Sequence, residues 1–236
     1  MSAMRAAAVL TLLALGACTL PRPATQPTPG GAAVSGAAVL SPAQLVASVR
    51  RDSDLIAHSS DAAERTRLLA AATEDARQCV AVAPQSGACL YAQAQVLGLT
   101  ARERPTQAVA RLKQMLSSLT QAEALDPGFD HAGPARLSAV VLLRAPGWPL
   151  GPGDPDAAVM AAQRAVDRDA AYPPNLITLA QAQAKTDATA AARATFAKAH
   201  LAVQAWTGAS ADTQDQVAAQ RAEWQRDVDE GLRDLQ

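Results

Sequence analysis

The sequence predicts an all-α fold, a solenoid of stacked helical hairpins with a C-terminal capping helix, and three observations carry that prediction. First, 58 of the 236 residues are Ala and aromatic residues make up only 3%. Ala has the best intrinsic helix propensity and lets helices approach closely, whereas strands draw on β-branched and aromatic residues that are scarce here. Second, three segments align at a spacing of 43 residues: Glu74 to Pro84 (EDARQCVAVAP), Ser117 to Pro127 (SSLTQAEALDP) and Met160 to Ala170 (MAAQRAVDRDA). Small residues Cys79, Ala122 and Ala165 hold the same place in each, and Ala83-Pro84, Asp126-Pro127 and Asp169-Ala170 end them. Third, each end is followed by a new amphipathic segment with its own start signal. One helical hairpin buries too little surface to stand alone, so a repeat of this kind must stack on its neighbours. Lys and Arg number 21 against 22 Asp and Glu, a formal net charge of -1, which supplies no basic surface for nucleic acid.

Before the repeats comes an address. Met1 to Arg5 carry one positive charge and Ala6 to Ala17 carry none. That apolar run is shorter than the roughly 20 residues needed to span a bilayer and matches the h-region of a secretion signal. Leu15-Gly16-Ala17-Cys18 resembles a lipobox, so residues 1–17 are expected to be a lipoprotein signal peptide and Cys18 the lipidated mature N-terminus. Each buried acyl methylene contributes about 0.8 kcal/mol, and two or three chains anchor a protein without a transmembrane helix. Thr19 in place of Asp after the Cys resembles the pattern of lipoproteins sorted to the outer membrane, which sets the expected location on the periplasmic face of that membrane. Residues 18–40, rich in Pro and then in Ala and Gly, form the expected tether, with a reach on the order of 25 Å. Residues 41–236 then make a single helical-repeat domain.

Within that domain the pattern predicts nine helices over 41–58, 61–83, 86–99, 105–125, 130–144, 154–168, 173–185, 187–207 and 210–235. Ser41-Pro42 opens the first with an N-cap and a first-turn Pro; Asp61 with Glu64 has the spacing of a capping box, and Asp154-Pro155 and Ser210 suit further caps. Paired, these give four hairpins and a closing helix. In the fourth hairpin Leu176, Leu179, Ala180 and Ala184 share one face, with Ala191, Ala194, Phe196 and Ala197 expected opposite. In the last helix Val217, Trp224, Val228 and Leu232 point inward and a polar face outward.

Chemistry is sparse. His58, His131 and His200 lie far apart with no partner at the spacing of a metal pair. Asp154-Pro155-Asp156 and Asp167-Arg168-Asp169 lack the ligand spacing of a calcium loop, and Gly151-Pro152-Gly153 has Pro where a phosphate cradle needs a donor. No nucleophile-and-base motif appears, so neither an enzyme nor a cofactor is expected. Cys79 and Cys89 flank the turn between the second and third helices; in an oxidising compartment they form either a disulfide or two buried thiols packed as small residues. The seven aromatics, Tyr91, Phe129, Trp148, Tyr172, Phe196, Trp206 and Trp224, fall near helix starts or in loops, where rings plug gaps between stacked hairpins. Trp148, between Gly147 and Pro149 in a stiff loop, would instead line an apolar cavity or a partner surface if that loop folds back over the concave side.

The small-residue positions, the Leu-Asp-Pro helix end and the paired helices resemble tetratricopeptide repeats, although 43 residues exceed the usual 34. The excess is expected in the connection between paired helices, most visibly Arg144-Ala-Pro-Gly-Trp-Pro-Leu-Gly-Pro-Gly-Asp154. That connection, preceded by Gly133-Pro134-Ala135-Arg136 and followed by Arg164-Ala165-Val166 and Tyr172-Pro173-Pro174-Asn175, resembles the T-component lipoproteins of TRAP (tripartite ATP-independent periplasmic) transporters over about residues 60–207. The resemblance implies a lipid-anchored, non-catalytic helical protein that works beside a periplasmic solute-binding protein, holds a hydrophobic small ligand, and in some members assembles into a small homo-oligomer. On these grounds Trp148, Pro149, Leu150, Tyr91, Phe129, Tyr172 and Asn175 are the candidate ligand- or partner-binding residues. The competing expectation is a general helical-repeat scaffold for envelope assembly or secretion complexes, with no small ligand.

Overall fold

Side chains cap the N-termini of five of the helices. The structure, a computed structural model, describes residues 40–209 and 212–236. Among these are nine α-helices: α1 (Pro42–His58), α2 (Ala62–Val82), α3 (Gly87–Glu103), α4 (Ala108–Leu125), α5 (Phe129–Arg144), α6 (Pro155–Arg168), α7 (Pro173–Lys185), α8 (Thr189–Ala205) and α9 (Gln214–Asp234). Ser41 closes a capping box on α1 with Gln44, and Asp154 caps α6 by accepting from the Ala157 N–H at 3.0 Å. Asp61 caps α2 alone, because Glu64 turns away to accept from the Ser59 hydroxyl at 2.7 Å. The last helix begins at Gln214 under a box of Thr213 and Gln216. Ser210, the expected cap there, lies outside the described residues, as do the expected signal peptide, Cys18 and the tether up to residue 39.

The 43-residue repeat is real in three dimensions. Cys79, Ala122 and Ala165 are all fully buried. The residues that end α2, α4 and α6, namely Ala83, Asp126 and Asp169, have nearly the same dihedrals (φ/ψ -140/69, -147/83 and -148/87), so each hairpin leaves its second helix by the same turn. The extra length is distributed unevenly. Between α5 and α6 it sits in the expected loop over 145–154, but α3 and α4 are 17 and 18 residues long and are separated by little more than a 3₁₀ turn at Pro105–Gln107. A longer hairpin and a longer loop keep the same period.

The molecule is a helical-repeat solenoid. Helices pair most extensively as α1 with α2, α3 with α4, α5 with α6 and α7 with α8. The odd-numbered helices also touch in succession, α1 to α3, α3 to α5, α5 to α7 and α7 to α9, whereas no even-numbered helix meets the next. Two layers result: a continuous inner one of odd helices and a splayed outer one of even helices. Apolar groups fill each joint, with Leu68, Leu69 and Val96 at the first, Leu90, Met115 and Leu119 at the second, and Leu176, Ile177, Phe196 and Val228 at the last. Along α8 the buried face is Ala192, Thr195, Phe196, Ala199 and Val203, so Ala191, Ala194 and Ala197, expected inward, face solvent. Ala occurs on both faces of this helix, so the core side is marked by Phe196 and Val203 and the solvent side by Arg193 and Lys198 rather than by the Ala positions.

Candidate functional site

The inner layer is distorted at one place. Asp130, His131 and Ala132, which open α5, all have left-handed backbone (φ 51, 56 and 60). None is Gly, and left-handed backbone costs an L-residue about 1–2 kcal/mol, so surrounding contacts must hold the segment. The right-handed helix resumes at Gly133 and Pro134. Gly133 is required there, since a Cβ would stand 2.8 Å from the Tyr91 hydroxyl oxygen.

A polar network drawn from four helices supplies the restraint. The Asp130 carboxylate pairs with Arg50 of α1 and with Arg136 of α5 (3.1 Å), and it accepts from the Tyr91 hydroxyl of α3 at 3.0 Å. Burial, and then the Asp130 charge, push the Tyr91 phenol upward, so it stays protonated as a donor. Arg136 also donates to the carbonyls of Asp130 and His131 and to Asn175 Oδ1 (3.1 Å). Asn175, fully buried at the start of α7, donates through Nδ2 to the carbonyls of His131, Ala165 and Asp169. His131 meets the Asp169 carboxylate through Nδ1 at 2.7 Å. The strained turn is thus pinned from α1, α3, α6 and α7 at once.

Two cavities meet at this turn. A chamber of about 1070 Å³ runs along α1 and is apolar through Ala43, Val46, Ala47, Leu55 and Phe129, with Arg50, Arg51, Asp54 and His58 at its rim. A second groove of about 790 Å³ follows the inner layer across α3, α5, α7 and α9 and is of mixed polarity. Arg50, Asp54, Asp130 and His131 line both. Aromatic rings line the groove from this turn onward: His131 stacks on Tyr172 (4.3 Å between centroids), and Tyr172, Trp206 and Trp224 meet one another edge-on at 5.4–5.6 Å. The Arg136 guanidinium lies 4.9 Å from the centre of the Tyr172 ring. Burial, opposed by Arg136, raises the Tyr172 phenol too. Among the described residues no three His, Cys, Asp or Glu side chains are grouped to hold a metal ion, and no helix is long and apolar enough to cross a membrane.

The sequence-derived candidates fall into three groups. Phe129 lines the α1 chamber, and Tyr91 and Tyr172 line the groove. Tyr91 is 4% exposed and committed to Asp130, so it shapes the site more than it faces a ligand. Asn175 has no exposed surface and all its polar atoms engaged within the fold, which makes it a positioning residue for Arg136 and the His131 turn rather than a contact. Trp148, Pro149 and Leu150 are elsewhere. Pro42, Ser86 and Phe129 line one chamber, so α1, α3 and α5 start at the same end of the molecule; the 145–154 loop is at the opposite end. There Trp148 is 90% and Leu150 72% exposed, held out by a loop that hydrogen-bonds to itself (Leu150 and Gly151 N–H to the Gly147 carbonyl, Gly153 N–H to that of Pro146). The loop does not fold over the concave side. Cys79 and Cys89 are joined in a disulfide, Cα atoms 5.3 Å apart, with Leu45 packed on it. Arg50, Asp130, Trp206 and Trp224 were not among the candidates. The two Trp could have been marked as an aromatic pair flanking the last loop, whereas nothing in the sequence signals a left-handed turn at Asp130. No protein-family model matches the chain, and no curated protein matches it.

Proposed function

We propose that this protein is a lipid-anchored periplasmic accessory of solute uptake, similar to the T-component of TRAP transporters, which docks a solute-binding protein and holds a hydrophobic small ligand. The observation that carries this reading is the pair of cavities meeting on the inner layer, one apolar and one mixed, which offer a ligand a preformed concave site on rigid helices. Most of the rings and Arg136 around them are engaged in orienting one another, an arrangement that suits binding. The Trp148–Leu150 tip supports the docking half. A large ring held in water on a loop whose backbone is already fixed by its own hydrogen bonds lowers the ordering cost when a partner covers it, which favours a binding hot spot.

Affinity purification from solubilised envelope followed by mass spectrometry tests this directly. The expected result is co-purification of a periplasmic solute-binding protein that is lost on Trp148→Ala while helical content is unchanged. Recovery of envelope-assembly or secretion proteins alone would establish the scaffold function instead. The anchor is tested separately: Cys18→Ala is expected to shift the protein from the membrane to the soluble fraction, and a variant still sedimenting with membranes contradicts acylation.

A further inference from the structure

Where the α1 chamber joins the groove, one guanidinium keeps hydrogen-bond donors to spare. Two guanidinium groups converge on one carboxylate at Asp130. Arg136, whose side chain is 13% exposed, is the committed partner: it binds the carboxylate and three further acceptors inside the fold. Arg50 touches the same carboxylate through a single Nη2 contact and keeps 56% of its side chain exposed at the junction of the two cavities. A guanidinium has five N–H donors, and among the described residues Arg50 uses one of them, on Asp130. Asp54, one turn further along α1, forms no ion pair with it, and Arg51 is turned to Asp52. The wall beside Arg50 is apolar, with Val46 and Phe129 half-buried and Ala47 and Leu55 exposed. A forked cation at the end of an apolar trough is complementary to a molecule that has an anionic head and a hydrocarbon body.

We propose that the chamber along α1 binds an amphipathic carboxylic acid, whose apolar chain lies against Val46, Ala47, Leu55 and Phe129 and whose carboxylate is held by Arg50. This rests on the ligand-holding half of the function proposed above and is independent of the docking half. It narrows a hydrophobic ligand to an acid and fixes which end of it faces the polar groove. A cationic amphiphile would have to pair with Asp54 and leave the Arg50 donors unused, and a neutral one would forgo the charge-assisted hydrogen bonds that distinguish this end of the chamber.

Calorimetric titration of the purified full chain with decanoate, 1-decanol, decyltrimethylammonium and decyl phosphate, each below its micelle concentration, decides the matter. Saturable binding of decanoate is expected, weaker by on the order of tenfold to a hundredfold for decanol and in the Arg50→Gln variant. Decanol binding as tightly as decanoate, no decanoate binding at all, or tighter binding of decyl phosphate would each overturn the assignment, the last in favour of a lipid phosphate. Arg50→Gln also removes a contact to the strained turn. Ala47→Glu, exposed on α1 and outside that network, is therefore the second variant: it is expected to abolish decanoate binding with the unfolding midpoint unchanged, and undiminished binding would refute the site. Loss of the acid with an intact solute-binding-protein complex would fault only this proposal, and the reverse outcome only the docking.

Discussion

The first and last hairpins of the solenoid face the same problem, a missing neighbour, and meet it differently. At the C-terminal end α9 lies over α7 and α8, buries Val228, and sets Trp224 and Leu232 on the core while its other face stays polar. Phe196 reaches so far under α9 that a Cβ on Gly231 would stand 2.1 Å from its ring. At the N-terminal end, among the described residues, no helix covers α1. Its trough-facing side chains Ala43, Ala47 and Leu55 remain in solvent, and the Cys79–Cys89 disulfide ties α2 to α3 beneath it. One end is completed by burial. The other, among the described residues, leaves its apolar face uncovered, and a covalent tie substitutes for part of the burial that a capping helix would provide.

The sharpest way to break this comparison is Phe196→Ala. The ring is 1% exposed and the largest of the fully buried side chains, so its loss leaves a cavity under α9 and should cost about 3–5 kcal/mol. For a domain of this size that lowers the melting temperature by roughly 10 °C by circular dichroism. Because repeats contact only their neighbours, hydrogen exchange should accelerate in α7 to α9 and stay slow in α2 and α3. Uniform acceleration would mean that the two ends unfold as one unit and that the contrast between them has no energetic content.

The complementary test acts on the other end. Replacing both cysteines, Cys79→Ala with Cys89→Ala, removes a loop closure across a sequence separation of 10 and should cost about 3 kcal/mol on the chain-entropy account. Faster exchange is expected in α1 to α3, and a reductant should lower the midpoint of the wild type by a similar amount while leaving the double variant unmoved. If the reductant has no effect on the wild type, the N-terminal end is held by packing alone, and the difference between the two ends disappears.

What the sequence disclosed about these regions depended on how much contrast its residues carry. Helix positions were legible because caps are local chemistry: Ser41 with Gln44 and Asp154 with Ala157 act within one turn. The repeat was legible because Cys79, Ala122 and Ala165 must be small to fit the same buried place. The buried face of α8 was harder to read, since Ala190, Ala191, Ala192 and Ala194 are alike and only Arg193 among them marks the solvent side. The groove was legible only in part. Tyr172 and Phe129 were marked by being rare aromatics at helix starts, but the residue that gives the chamber its charge, Arg50, is one of many surface-helix arginines in the sequence. It becomes particular only when Asp130 arrives beside it from 80 positions away, carried by three left-handed residues that no composition rule anticipates. For Trp148 the rarity was legible but the direction of its loop was not, since that depends on the carbonyls of Pro146 and Gly147.

The smallest effect tests whether the C-terminal cap is as dry as its packing implies. Asp227 on α9 lies beside a cavity of about 570 Å³ lined by Arg144, Phe196 and Glu230, and its carboxyl is raised above the ordinary Asp value, first by burial and then by the neighbouring Glu223 charge. A carboxyl whose pKa is higher folded than unfolded weighs against folding once both states are ionised, and the penalty fades as pH falls through the folded value towards the unfolded one near about 4. Asp227→Asn should therefore raise the melting temperature at pH 7, by on the order of 1 °C given how much of the group still meets water, and the gain should vanish by about pH 4. The equivalent exchange at Asp54, which is exposed on the trough face of α1 and makes no ion pair there, should do nothing measurable. An absence of gain at Asp227, as at Asp54, would show that both ends are equally wet, and that α9 covers the last hairpin without excluding water from it.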